Sequence, residues 1–418
     1  MERRRIVLIK LFAAGLLSCG GEVTAGGRDA SSTQDSGYDT SVPFDVLDAP
    51  SPDGAPTCGA IGFACCGTSC STGVCCNAVC RDTALDTNNC GACGHGCLTS
   101  TCDKSMCIAT QLAYVAGETD PEAVRNDSSK VYWISTNGGG VSLPGSLYGC
   151  AKTGCGNSPT KLYGSINYAR SLVLDTSLNM TYVADSGSKT FLLCPTAGCG
   201  SAPIVVSKGP IRGLDQHGLN LFGVVNDEPH QFKTDGTNDI DLGNGAEVAY
   251  DIVAPPGNAS YVYWTIPPAD KIRVGVTGIP NSGNDFVITP TPARVIADSS
   301  NLIWHSGSPG GSTIFSCTLG AVCTAPIVLA ENQILDWVFG GFISDGTTVY
   351  WTAYDSFNSG VAIRSCAVTG CNKTPKTLAV VHTASLALGM QMGGLTLDQD
   401  YLYFAFSDGG TYVYRVAR

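Results

Sequence analysis

Between Gly340 and Val381 four short apolar runs alternate with clusters of Gly, Asp, Ser and Asn. Runs of this length, rich in Val, Ile, Tyr, Trp and Thr and bounded by turn residues, predict four antiparallel strands. The second run, Val349-Tyr350-Trp351-Thr352, shows no polar alternation, so both faces of its sheet should be covered. No stretch carries a convincing amphipathic helical period. The pattern asks for a four-stranded sheet held between sheets of its own kind.

It also recurs. Equivalent runs are Val131-Tyr132-Trp133, Thr181-Tyr182-Val183, Leu221-Phe222-Gly223, Val262-Tyr263-Trp264, Leu302-Ile303-Trp304 and Leu402-Tyr403-Phe404, spaced about 40 to 53 residues apart. A few residues before most of them stands an Asp expected to close the first turn through backbone N–H groups two residues on: Asp127, Asp175, Asp215, Asp298, Asp345 and Asp398. The copy at Tyr263 has Pro255-Pro256 there instead, which makes it the least regular. These spacings predict an all-β chain, a β-propeller of seven blades with four antiparallel strands each. The last copy holds only three strands before Arg418. Thr110–Ala116, just after a Cys-rich segment, is expected to supply its fourth and close the ring, leaving no unpaired edge. An Asp, a turn and a Tyr-Trp-Thr strand resemble the YWTD propellers of lipoprotein-receptor ectodomains over residues 119–418. Those have six blades and a closing Asp largely missing here, so the resemblance implies the fold alone.

Four close cysteine pairs fall where a third strand should turn into a fourth: Cys150/Cys155, Cys194/Cys199, Cys317/Cys323 and Cys366/Cys371. Disulfides across such short loops are expected to staple the exposed outer strands.

The first residues differ. A basic start (MERRR) leads into an apolar segment too short to span a bilayer, ending Leu16-Leu17-Ser18-Cys19-Gly20. This ending resembles the bacterial lipobox, which implies removal of residues 1–18, lipidation of Cys19 and a lipid anchor in the membrane. Gly20 after that Cys resembles lipoproteins delivered to the outer membrane or cell surface. Of 21 cysteines, setting Cys19 aside leaves an even number for pairing. Residues 19–57 form a polar, acidic tether with too little apolar surface to fold, about 35 Å long on average as a flexible coil. Residues 58–108 carry twelve cysteines and predict a small disulfide-rich module on the rim beside the last blade, removable at little cost to the propeller at 109–418. The stretch LDTNNCGACGHGCLTSTCDKSMC resembles a repeat of stigma-specific plant proteins and many predicted exported bacterial proteins. Cys90, Cys93, His95 and Cys97 have spacing a zinc ion could use, but in an exported chain disulfides are favoured.

Net charge is −11, and about −14 once residues 1–18, with Glu2, Arg3, Arg4, Arg5 and Lys10, are gone. So acidic a surface excludes nucleic acid as a partner. No nucleophile, P-loop, zincin or EF-hand motif occurs, so no catalytic residue, metal ligand or cofactor is assigned. Arg170, Arg212 and Arg294 stand where first strands begin, nearest the axis, and their guanidinium groups suit a carboxylate or phosphate. The expectation is a monomeric, non-enzymatic binding platform for a protein or glycan. The alternative is a propeller lyase or lactonase with an axial site, for which His305 is the residue to examine.

Overall fold

The structure, a computed structural model, describes residues 59–137, 144–200, 204–207, 209, 211–245, 247–258, 260–308, 311–320, 322–335, 341–355, 360–382 and 391–418. Cys19, the tether and Cys58 lie outside the described residues.

Seven four-stranded antiparallel sheets form the blades of a propeller ring. The first strands, which surround the axis, are Pro121–Asn126, Ala169–Asp175, Ile211–His217, Ile252–Val253, Pro292–Ala297, Phe342–Ser344 and Gln391–Leu397 for blades one to seven. The second strands are the tyrosine-tryptophan runs. Trp133, Trp264, Trp304 and Trp351 are all fully buried on them, as strands covered on both faces require. Apolar clusters join each blade to the next, for example Ile303 and Ile314 of blade five with Trp351 and Ala353 of blade six. Where inner strands approach most closely only glycine fits. A Cβ on Gly394 of blade seven would lie 2.5 Å from the backbone nitrogen of Val124 in blade one.

The ring closes as the pattern requires. Thr110–Ala116 pairs antiparallel with the last strand, Gly410–Ala417, from Ala116 opposite Gly410 to Thr110 opposite Arg415.

The first-turn aspartates do two jobs. Oδ1 of Asp127 accepts the backbone N–H groups of Ser129 and Lys130 at 2.6 and 2.7 Å, while Oδ2 accepts the Tyr132 hydroxyl at 2.7 Å. Asp345 with Tyr350 and Asp398 with Tyr403 repeat the arrangement at 3.1 and 2.8 Å. The five-residue spacing from Asp to Tyr thus follows from one carboxylate serving a turn and a neighbouring strand. Asp215 departs from this expectation. It lies inside its strand opposite Phe222, because Gly218, with φ of 59°, moves the turn onwards to His217–Asn220. In blade four the first strand shrinks to Ile252–Val253, since Pro255 and Pro256 have no N–H to continue it.

All four predicted cysteine pairs are disulfides. Their position corrects the expectation of an exposed outer edge, because the sulfurs sit in apolar clusters between blades. The Cys155, Cys199 and Cys323 N–H groups donate to the carbonyls of Leu112, Leu162 and Phe286 at 2.9, 3.1 and 2.7 Å. In blade six Cys371 Sγ lies 3.4 Å from the Leu329 carbonyl oxygen. Each of those four residues is the third of the preceding blade's outer strand. The bridged corner therefore reaches back across the gap and caps its neighbour.

The Cys-rich segment is knitted by Cys65–Cys75, Cys70–Cys80, Cys76–Cys93, Cys90–Cys102 and Cys97–Cys107. The cysteines of the zinc reading are consumed by these bonds. Cys90, Cys97, Cys102 and Cys107 share one core cluster with Val381, Leu402, Val416 and Ala417. The module thus rests on blades six and seven and shares their apolar core.

Candidate functional site

The axis carries a graded series of cavities. At the end where first strands begin, Arg170, Arg212, Tyr250 and Arg294, from blades two to five, surround a recess of about 10 Å³. The structure thus brings the three arginines singled out from the sequence to one place, one or two residues inside their strands rather than ahead of them. Arg170 stacks over the Tyr168 ring at 4.1 Å. Arg212 Nη2 lies 3.1 Å from Asp227, and Arg294 Nε lies 3.7 Å from Asp251 of the preceding blade. Both guanidinium groups keep further N–H donors beyond these single contacts. Burial raises the Tyr250 phenol, while Arg170, Arg294 and Arg212 oppose that rise, which is the electrostatic signature of their convergence.

Inward lies a narrow cavity of about 90 Å³ reached by Arg294 and Asp251. It meets a wider vestibule of about 610 Å³ at the opposite end of the axis. Arg125, Asp215, Val253, Ile296, Phe342 and Leu395 line both spaces and so form the constriction between them. Asp175, Gln216 and His217 stand on the vestibule wall.

Arg125 and Asp215 are the two charged groups of this ring. Arg125 Nη1 donates to the Val124 carbonyl at 2.9 Å, and desolvation lowers the pKa of the guanidinium against the pull of Asp215. Asp215 Oδ2 accepts the Ala254 N–H at 2.8 Å. Desolvation dominates at Asp215: although half-buried by surface exposure, it is enclosed by the blades, and its carboxyl is pushed up to about 6 despite the Ala254 and Gln216 N–H groups and Arg125.

Sequence reasoning missed both residues. Arg125 stands opposite Tyr132 and Asp215 opposite Phe222, the position filled by Ile296, Ile343 and Thr396 in blades five, six and seven. Reading that column across the repeats exposes the two charges. His305, the residue to examine for an axial enzyme, is instead buried in the second strand of blade five with Phe342 edge-on at 6.3 Å. Burial drives its pKa down to about 3, so the ring is neutral and shut off from the channel.

No family model and no curated protein matches the chain. Among solved structures, it is similar to a catalytically inactive form of virginiamycin B lyase from Staphylococcus aureus with quinupristin. That match has 12% identity and a TM-score of 0.54, covering 72% of this chain and 96% of the other. It is likewise similar to the WD40 β-propeller domain of Doa1, with 12% identity, 73% and 96% coverage and a TM-score of 0.54. At these identities the likeness establishes the propeller fold.

Proposed function

We propose that this chain is an exported, lipid-anchored surface protein whose propeller is a non-enzymatic platform that binds an anionic group displayed by a protein or glycan. Residues 1–18 direct export, Cys19 carries the lipid at the outer membrane or cell surface, and residues 19–57 tether the Cys-rich module at 58–108 and the propeller at 109–418.

The convergence of Arg170, Arg212 and Arg294 with Tyr250 at one axial mouth carries this reading. Four consecutive blades each place one donor there, and guanidinium groups recognise carboxylate and phosphate through paired N–H bonds. The recess itself holds about the volume of one water, so an anion lies across its mouth, which suits the tip of a larger partner rather than an engulfed small molecule.

The test is a thermal-shift screen of the protein against phosphate, citrate and uronic acids, repeated on the variant with Arg170, Arg212 and Arg294 all changed to Ala. An anion-dependent rise in melting temperature that the variant loses is expected. No rise with any anion would sink the proposal.

A further inference from the structure

The vestibule is the widest of the three axial cavities, and the anion-binding mouth makes no use of it. Its walls combine apolar surface from Leu174, Leu219 and Pro256 with polar groups, and about 610 Å³ lies within the range of small-molecule sites. What distinguishes it is the floor.

Arg125 and Asp215 face the same space from blades one and three. Their charges feel each other, yet the two side chains form no ion pair among the described residues. The guanidinium spends one N–H on the Val124 carbonyl, and no other hydrogen bond of its side chain occurs among the described residues. Asp215 accepts the Ala254 N–H on Oδ2 and also feels the Gln216 N–H, and a carboxylate with about four lone-pair sites keeps room for a further donor from the vestibule. A fixed positive and a fixed negative group, apart and partly desolvated, form a preorganised dipole that lacks its complement. Phe342, Leu395, Val253 and Ile296 complete the ring with apolar surface.

We propose that the vestibule binds a small zwitterion with an apolar side chain, an α-amino acid or its like, with the carboxylate on Arg125 and the ammonium on Asp215. The carboxylate accepts paired N–H bonds from the guanidinium, while the ammonium donates to Asp215. The side chain lies against the apolar wall, and Gln216 and Ser177 stand at the polar side of the vestibule. Because the two headgroup charges cancel, the ligand adds no net charge to the channel, whereas a simple amine or acid would leave one floor residue uncompensated.

Calorimetry and thermal shift on the full chain with L-leucine and L-phenylalanine test this, against N-acetyl-leucine, which lacks the ammonium, and leucinamide, which lacks the carboxylate. At saturation the free amino acids should raise the melting temperature by about 2 °C or more. The two blocked compounds should bind at least about tenfold more weakly. Arg125→Gln and Asp215→Asn should each abolish the shift. The triple alanine variant at the opposite mouth should keep it, which separates this site from the anion-binding one. If neither amino acid shifts the wild-type protein, or either blocked compound binds as well as leucine, the zwitterion site is overturned. Retention of binding by Asp215→Asn would overturn it equally, and wild-type ligand discrimination remains decisive should a variant fail to fold.

Discussion

Tyr412 of the last strand stands directly opposite Tyr114 of the first propeller strand, with ring centroids 4.6 Å apart. One residue along, Val413 faces Ala113, and both are fully buried. The two ends of the propeller chain are therefore joined through a packed strand pair. Ala113→Asp places a carboxylate in that core without a partner, which should cost on the order of 4 kcal/mol. A melting temperature close to that of the parent would contradict the importance of closure.

The disulfide corners should behave as inter-blade stitches. Cys366→Ser combined with Cys371→Ser removes a short closed loop worth about 2 kcal/mol, and it leaves two hydroxyls beside Leu329 and Trp351 in a shared core. The expected result is a folded protein with a native circular dichroism spectrum and a lower melting temperature. Hydrogen exchange should rise in Ile327–Gln333 of blade five as well as in Gly360–Ala367 of blade six. Loss of protection confined to blade six would show that the corner does not bind its neighbour.

The blades were legible because the fold imposes one local chemistry on most repeats: a strand buried on both faces, preceded in five of the seven blades by an Asp whose carboxylate closes a turn. Seven recurrences of the buried strand and a three-stranded end sufficed for the blade count and the closing strand. The placement of the disulfides was less legible. Close spacing shows that Cys366 and Cys371 can pair, but which face of the third strand carries Cys366 depends on register with Thr348–Asp355. The arginine mouth was visible because three copies share a residue type. Arg125 and Asp215 escaped because each is alone in its column, and Asp215 imitates the turn aspartates.

The seam between blades seven and one carries an ion pair, Lys152 Nζ to Asp398 Oδ2 at 2.6 Å. Burial raises the pKa of Asp398, but Lys152, the Tyr401 and Asp400 N–H groups and the Tyr403 hydroxyl together outweigh it and hold the carboxyl down at about 2. A depressed folded-state pKa adds stability above the unfolded value near 4, and that stability is lost as pH falls through about 2. Asp398→Asn should cost about 2 kcal/mol at neutral pH and flatten the decline in melting temperature between pH 4 and 2. An unchanged acid profile would show that the seam does not depend on this carboxylate.

Asp215 has the opposite sign. Its carboxyl is raised to about 6, so between about pH 4 and 6 the folded state holds a proton that the unfolded chain has released, and at pH 7 the carboxylate is ionised. Its contribution is most favourable below pH 4 and is lost as pH rises through 6. Asp215→Asn keeps an acceptor for the Ala254 N–H and removes the desolvated charge. The variant should be more stable than the parent at pH 7 by about 1 kcal/mol, once solvent in the open vestibule has screened the effect. The two should converge near pH 4. Melting curves across pH 4–8 decide it, and a variant less stable than the parent at pH 7 would mean that the ionised carboxylate is held by favourable contacts.

The Cys-rich module provides the remaining test, because it combines covalent knitting with a docked face. Its cystines bury Cys90, Cys97, Cys102 and Cys107 against Leu402, Val416 and Ala417, so the module caps the outer side of blades six and seven. Polar contacts fix the orientation. The Thr99 hydroxyl lies 3.3 Å from the Tyr401 hydroxyl, and Arg415 donates to Thr99 from Nη2 at 3.3 Å and to the Lys152 carbonyl from Nη1 at 2.8 Å. Arg415 also lies over the Tyr401 ring at 4.8 Å, so one side chain joins the module, blade one and blade seven. A chain that begins at Ala109 keeps the closing strand and exposes this apolar face. It should still form the ring, with a melting temperature lower by roughly 5–10 °C and increased binding of a hydrophobic dye. Arg415→Ala in the whole chain should produce a smaller drop in the same direction. Equal melting temperatures for the truncated and whole chains would show that the module is a passive appendage.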